Sequence, residues 1–255
     1  MTLPIVIGKS VATTITKKFG GVVIERWTRH RAERFFEGFV EVIGNEFTTG
    51  KETEKLDKRL DEILSDDAKS EVLFDAYRRV CFSKSKTLGP RIVGLLTGYL
   101  VLEGRMANED EESVFEAAEL LSDGEFVEFM KSYQKYRNKA KGITDSEAEC
   151  YMLGGSVIIH WSEESADTSI PSGGKVDISP FPWEEALGRW AVKLNAVGLV
   201  EVKVEQVTTQ NYQLPSDDQS ISTNINTMVI FSPACCELYD LLFRCFGAAD
   251  TAAEI

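Results

Sequence analysis

The sequence predicts a mainly α protein: a helical N-terminal body, residues 1–153, followed by a small α+β C-terminal domain, residues 154–255. Two observations predict it. Apolar residues recur at three-to-four spacing up to about residue 142, the period of a one-faced helix. At Gly154 the pattern changes to short β-branched runs divided by turn residues. With 43% apolar and 27% charged residues in 255, the composition is that of a folded chain of one large or two ordinary domains.

The first predicted helix spans about residues 24–43, where Phe35, Phe36, Phe39, Val40 and Ile43 form one stripe. Glu52–Leu64 repeats the pattern with Leu56, Leu60 and Ile63, and Asp67–Phe82 with Val72, Leu73, Ala76, Tyr77 and Val80. The next helix opens at "LGPRIVGLL", because Pro90 has the φ and the missing N–H that suit a first turn, and it ends near Gly104. Apolar residues cover most of its circumference, which makes it the central buried helix. "NEDEESVFEAAELL" places acids in a first turn, where they complement the helix dipole. Ser122 and Glu125 form a capping box ahead of Phe126, Val127 and Phe129. A second box, Thr144 with Glu147, predicts a short helix to about Leu153.

Beyond Gly154, "SVIIHW" reads as a strand and "WEEALGRWAVKLNAVG" as one helix with Trp183, Leu187, Trp190 and Leu194 on its apolar face. Two further strands, "LVEVKVEQV" and "TMVIF", flank the polar "TTQNYQLPSDDQSISTNIN", long enough for a hairpin loop. Ser232 caps and Pro233 starts a last helix through Cys245, ahead of a tail, "GAADTAAEI", expected to fray. Helix, strand, long loop, strand, helix is the order of a winged-helix end, so the C-terminal domain is expected to be winged-helix-like.

The stretches "LNAVGLVEVKV", "MVIFSPACCELYDLLF" and "SKTLGPRIVGLLTGYLVLEGRM", the last followed by "EDEESVFEAAELLSDGEFVEFM", resemble bacterial proteins of the Abi-alpha type. The resemblance covers about residues 70–130 and 185–247. It implies a helical body with a winged-helix-like end and a role in defence against phage. It carries over no catalytic residue.

The net charge of −13 repels phosphate backbones and anionic lipid, so any such contact needs a local patch. Residues 1–34 supply one, with seven lysines and arginines against Glu25 and Glu33, a local charge of +5. Lys9, Lys17, Lys18, Phe19, Arg26, Arg29 and Arg31 are its candidate partner-binding residues. Val11, Ile15 and Phe19 continue an apolar stripe interrupted by Gly20 and Gly21. Residues 1–21 therefore read as a basic amphipathic arm able to dock on an acidic partner or lie on an anionic membrane. The opposing reading packs Trp27, Phe35 and Phe39 into the core and pairs Arg26, Arg29 and Arg34 with acidic neighbours.

The five cysteines lack CxxC spacing and read as free thiols in a reducing, cytoplasmic environment. "MTLPIVIGKS" has neither part of a cleaved signal peptide, and the apolar run Ile92–Leu102 is far shorter than the ~20 residues of a spanning helix. An enzyme would have to use His160, but a lone histidine between Ile159 and Trp161 on a strand reads as structural. "SGGK", residues 172–175, lacks Walker spacing and reads as a turn, and no cofactor or metal motif is present. In residues 183–212, Arg189, Lys193 and Lys203 face four glutamates, which argues against duplex DNA. The expected function is that of a non-enzymatic cytosolic interaction protein of bacterial or phage type, docking on a protein partner or on itself. The alternatives are an enzyme with a site near His160 and a peripheral membrane binder through residues 1–34.

Overall fold

The computed structural model describes residues 26–45, 52–142, 149–164, 180–211 and 220–250. Six helices come first: α1 (Arg26–Asn45), α2 (Glu52–Ser65), α3 (Asp67–Phe82), α4 (Leu88–Glu103), α5 (Glu109–Leu120) and α6 (Asp123–Ala140). Then come β1 (Glu149–Leu153), β2 (Ser156–Glu164), α7 (Trp183–Leu187), α8 (Arg189–Ala196), β3 (Val200–Asn211), β4 (Ser220–Phe231) and α9 (Pro233–Asp250). The fold is mostly helical with one small antiparallel sheet, as expected. Contacts cluster into two compact units, residues 1–130 with 237–255, and residues 131–236.

In the first unit α4 is the central helix, with twelve of its sixteen residues buried. It lies backbone to backbone against α1. A Cβ at Gly98 would meet the Val42 side chain at 2.8 Å, one at Gly38 would meet the Leu95 amide at 2.9 Å, and one at Gly94 would collide with the Phe35 carbonyl. Glycines therefore set the helix separation at this crossing. Phe35 and Phe39, both fully buried, stack beside it with ring centroids 6.1 Å apart.

Local chemistry closes the helix ends, at Ser122 with Glu125 and at Gly104 as the sequence predicts. Asn108 and Glu111 form a reciprocal capping box on α5, and Ser122 with Glu125 forms one on α6. Gly104 ends α4 in the left-handed region at φ 66°. After α8, the Leu199 amide donates to Leu194 O at 2.9 Å and that of Gly198, at φ 78°, to Asn195 O at 3.1 Å, a Schellman stop.

The second unit holds the sheet, in order β1-β2-β4-β3 with every pairing antiparallel. Val157, Ile159, Val229 and Phe231 face a buried side shared with Leu187, Trp190 and Leu194. The Phe231 ring takes Tyr133 edge-on at 5.5 Å and stacks on Trp190 at 6.3 Å.

Three expectations are corrected. The helix expected to end near Leu153 is a strand over Glu149–Leu153, while residues 143–148 lie outside the described residues. The reason is the turn: Gly154 and Gly155 both have positive φ, 58° and 84°, as a two-residue hairpin loop requires, and they fold β1 back onto β2. The helix expected to run on from Trp183 is two helices, because Gly188 at φ 93°, ψ −179° adopts a conformation essentially confined to glycine. The last helix continues to Asp250, five residues past Cys245.

Candidate functional site

The sheet has two edge strands, and they differ. β3 presents Glu201, Lys203 and Glu205, with Lys203 and Glu201 paired at 3.2 Å; charges of this kind discourage edge pairing. β1 has one charge, Glu149, and then exposes Tyr151, Met152 and Leu153 at 41%, 42% and 66%. Because Leu153 and Ser156 close a two-residue hairpin, the exchange of hydrogen bonds with β2 falls on Leu153, Tyr151 and Glu149. The N–H and C=O groups of Cys150 and Met152 are thereby directed outward, where the described residues offer no strand.

The side chains of Cys150 and Met152 share the sheet face of Ile159 and Val157. Burial pushes the Cys150 thiol pKa up, against the opposing charges of Lys139 and Lys135. Both lysines belong to the last three turns of α6, and both hold their ammonium groups over the Tyr136 ring, Lys135 at 5.7 Å and Lys139 at 5.5 Å from its centroid. Between Phe129 and Thr144 the chain carries Lys131, Lys135, Arg137, Lys139 and Lys141 and no acid. Lys131, Lys135 and Lys139 recur every fourth residue and so lie along one side of the helix. Among the described residues, a strand edge without a partner strand thus lies within electrostatic reach of Lys135 and Lys139.

Residues 1–34 are therefore not the sole positive segment of the chain; "KSYQKYRNKAK" is another, and it is visible in the sequence as a charge run. Of the candidates in the first, Lys9, Lys17, Lys18 and Phe19 lie outside the described residues, and Arg26 is described only in its backbone at the start of α1. Arg29 is exposed on α1, and Arg31 donates through Nε to Ser85 O at 3.2 Å.

His160 lies on the open face of the sheet, its Nδ1 3.6 Å from Glu149 Oε2 across the β1–β2 ladder and its Cα partner on β4 being Met228. The neighbouring Trp161 stacks on Phe181 at 4.3 Å. A cavity of about 40 Å³ lies among α3, α4 and α5, lined by Arg79, Met106, Glu112 and Phe115. Binding pockets hold roughly 300 Å³ or more, and here Arg79 is engaged by Glu112 at 2.5 Å and Glu119 at 3.3 Å. Among the described residues no group of three or more His, Cys, Asp or Glu could hold a metal ion, and no helix is long and apolar enough to cross a membrane.

Comparison with known protein families, with curated proteins and with solved structures found no match to this chain.

Proposed function

We propose that the protein is a non-enzymatic interaction protein whose docking element is β1, to which a partner adds an extended segment as a fifth strand. The observation that carries this reading is the unprotected edge: outward-directed main-chain groups at Cys150 and Met152 flanked by exposed Tyr151 and Leu153. Main-chain pairing supplies affinity in such docking, and the alternating side chains supply selectivity. The winged-helix-like part, α8 with the β3–β4 hairpin, serves in this reading as the rigid support behind the edge. Five free cysteines support a reducing, cytoplasmic location. A role in phage defence, implied by the resemblance, places the partner among host or phage proteins.

The test is a photo-crosslinking residue introduced at Leu153 of the full chain in cells of the native host. A discrete protein adduct is expected from position 153, and none from the exposed Glu71 on α3. The adduct should vanish in Met152→Pro, which removes one outward N–H from the edge and leaves the β1–β2 hydrogen bonds in place. Labelling that is equal at positions 153 and 71, or that survives Met152→Pro, refutes docking at β1.

A further inference from the structure

We infer that the segment received at β1 alternates acidic and apolar residues, its carboxylates meeting Lys135 and Lys139. The inference rests on docking at β1 and adds the chemistry of the partner. Side chains of an added strand alternate between the two faces of the sheet. Those beside Cys150 and Met152 come under the positive field of Lys139 and Lys135. Those beside Tyr151 and Leu153 meet exposed apolar surface. One face of the incoming strand should be acidic and the other apolar.

Dipole complementarity at the end of α6 accounts for Arg137 and Lys139, the basic residues of its last turn. It does not account for Lys131 and Lys135, which lie further back along the same side. Among the described residues no carboxylate pairs with Lys131, Lys135 or Lys139, and Lys135 and Lys139 are held over Tyr136 instead. Their charge is available to a ligand.

The lysine stripe alone would equally suit a nucleic acid or an anionic membrane. The strand edge favours a peptide, because its alternating N–H and C=O groups match the alternating donors and acceptors of another main chain, whereas phosphate groups can only accept from the N–H groups and leave the C=O groups unpaired. Range points the same way. At physiological salt, charges act over roughly 8 Å, so a short acidic segment feels the lysines, whereas a long polyanion also meets the rest of a chain of charge −13.

The experiment measures fluorescence anisotropy of labelled eight-residue peptides, alternating Glu and Val, Gln and Val, or Lys and Val, against the full-length protein. Its variants are Lys135→Glu with Lys139→Glu, Lys135→Gln with Lys139→Gln, and Met152→Pro, each checked for native circular dichroism. The Glu peptide should bind at least tenfold more tightly than the Gln peptide and weaken with added salt. The neutral lysine variant should erase that advantage, the charge-reversed variant should transfer it to the Lys peptide, and Met152→Pro should weaken every peptide. Equal binding of the Glu and Gln peptides, with sensitivity to Met152→Pro retained, overturns the acidic partner and leaves docking at β1 standing. Failure of all three peptides to bind overturns both. Tight binding of a random oligonucleotide or of phosphatidylserine vesicles through the same lysines, indifferent to Met152→Pro, also overturns the inference.

Discussion

Ser85 donates its hydroxyl to Asp123 Oδ1 at 2.5 Å while accepting the Gly89 amide at 2.8 Å, and this pair completes the first turn of α4. Asp123 takes three more donors, the amides of Lys86 at 3.0 Å, Thr87 at 3.2 Å and Leu88 at 2.9 Å. Thr87 stands at the N-cap and makes no side-chain cap of its own. A carboxylate distant in sequence therefore does the work usually given to the cap residue, and Pro90 has no N–H to satisfy.

Replacing Asp123 with Asn should destabilise the protein at neutral pH by roughly 1–3 kcal/mol, the cost of weakening charge-assisted bonds to the partly buried amides of Thr87 and Leu88 and to the Ser85 hydroxyl. Burial raises the carboxyl pKa, but the Leu88 amide, the Ser85 hydroxyl and the other two amides outweigh it and hold the group below its usual value. A pKa lowered on folding adds stability above the unfolded value, about 3.9, and that stability is lost as pH falls through the folded value. Urea denaturation from pH 7 to pH 2 should thus show the gap between wild type and Asp123→Asn closing below about pH 4. A gap that persists at pH 2 contradicts the assignment.

Gly94→Ala should destabilise despite the higher helix propensity of alanine, since its Cβ would collide with the Phe35 carbonyl across the α1–α4 crossing. Propensity favours alanine by about 1 kcal/mol, and forcing two packed backbones apart costs roughly 1–3 kcal/mol or more. Gly124→Ala is the control: nothing lies within 4 Å of its Cβ, and the helix should gain a few tenths to 1 kcal/mol. Chemical denaturation of the two variants should give shifts of opposite sign.

Glu237 is raised in pKa, first by burial and then by the charges of Glu111 and Asp110. A carboxyl whose pKa rises on folding favours the native state while protonated, and that contribution is lost as pH climbs from the unfolded value, about 4.3, through the folded one. Glu237→Gln should therefore melt higher than wild type at pH 7 and level with it below about pH 4. Thermal scans at the two pH values check this. A lower melting temperature at pH 7 would show that the carboxylate is needed in its charged form.

The thiols should divide by burial. Cys245 is pushed up to about 12 by burial, against the charge of Arg91, and fully buried Cys235 is also raised. Alkylation of the native protein, read by mass spectrometry, should modify half-buried Cys81, Cys150 and Cys236 well before Cys235 and Cys245. Cys236 contacts the Tyr133 hydroxyl at 2.6 Å and donates to Gly155 O at 3.1 Å. With that proton on Gly155 O, the Tyr133 hydroxyl donates to the sulfur and stabilises its thiolate, so Tyr133→Phe should slow its labelling, and unchanged labelling would discount that contact.

Helix periodicity was legible over α1 to α6 because each helix buries a face built from its own residues at three-to-four spacing, and the capping boxes on α5 and α6 are local chemistry. The signal for β1 was equally local: a Gly-Gly pair between Leu153 and Ser156. It was masked by the capping-box pattern of Thr144 and Glu147, which satisfies the same amides only if a helix follows. Gly188 left no such mark, since a glycine inside a helical pattern is often tolerated.

By itself, then, the sequence determined the mostly helical class, the central place of α4, the boundary chemistry of the helices and the absence of a recognisable catalytic motif, all properties of neighbours along the chain. Only the tertiary structure decided the rest. It made Asp123 the cap of a helix 35 residues earlier. It set Gly38, Gly94 and Gly98 in one seam. Among the described residues it left β1, rather than charged β3, as the edge with exposed apolar side chains, and it brought Lys135 and Lys139 of α6 within electrostatic reach of Cys150. Pairing across a sheet and packing between helices join residues far apart in sequence, and neither periodicity nor charge along the chain specifies which of them meet.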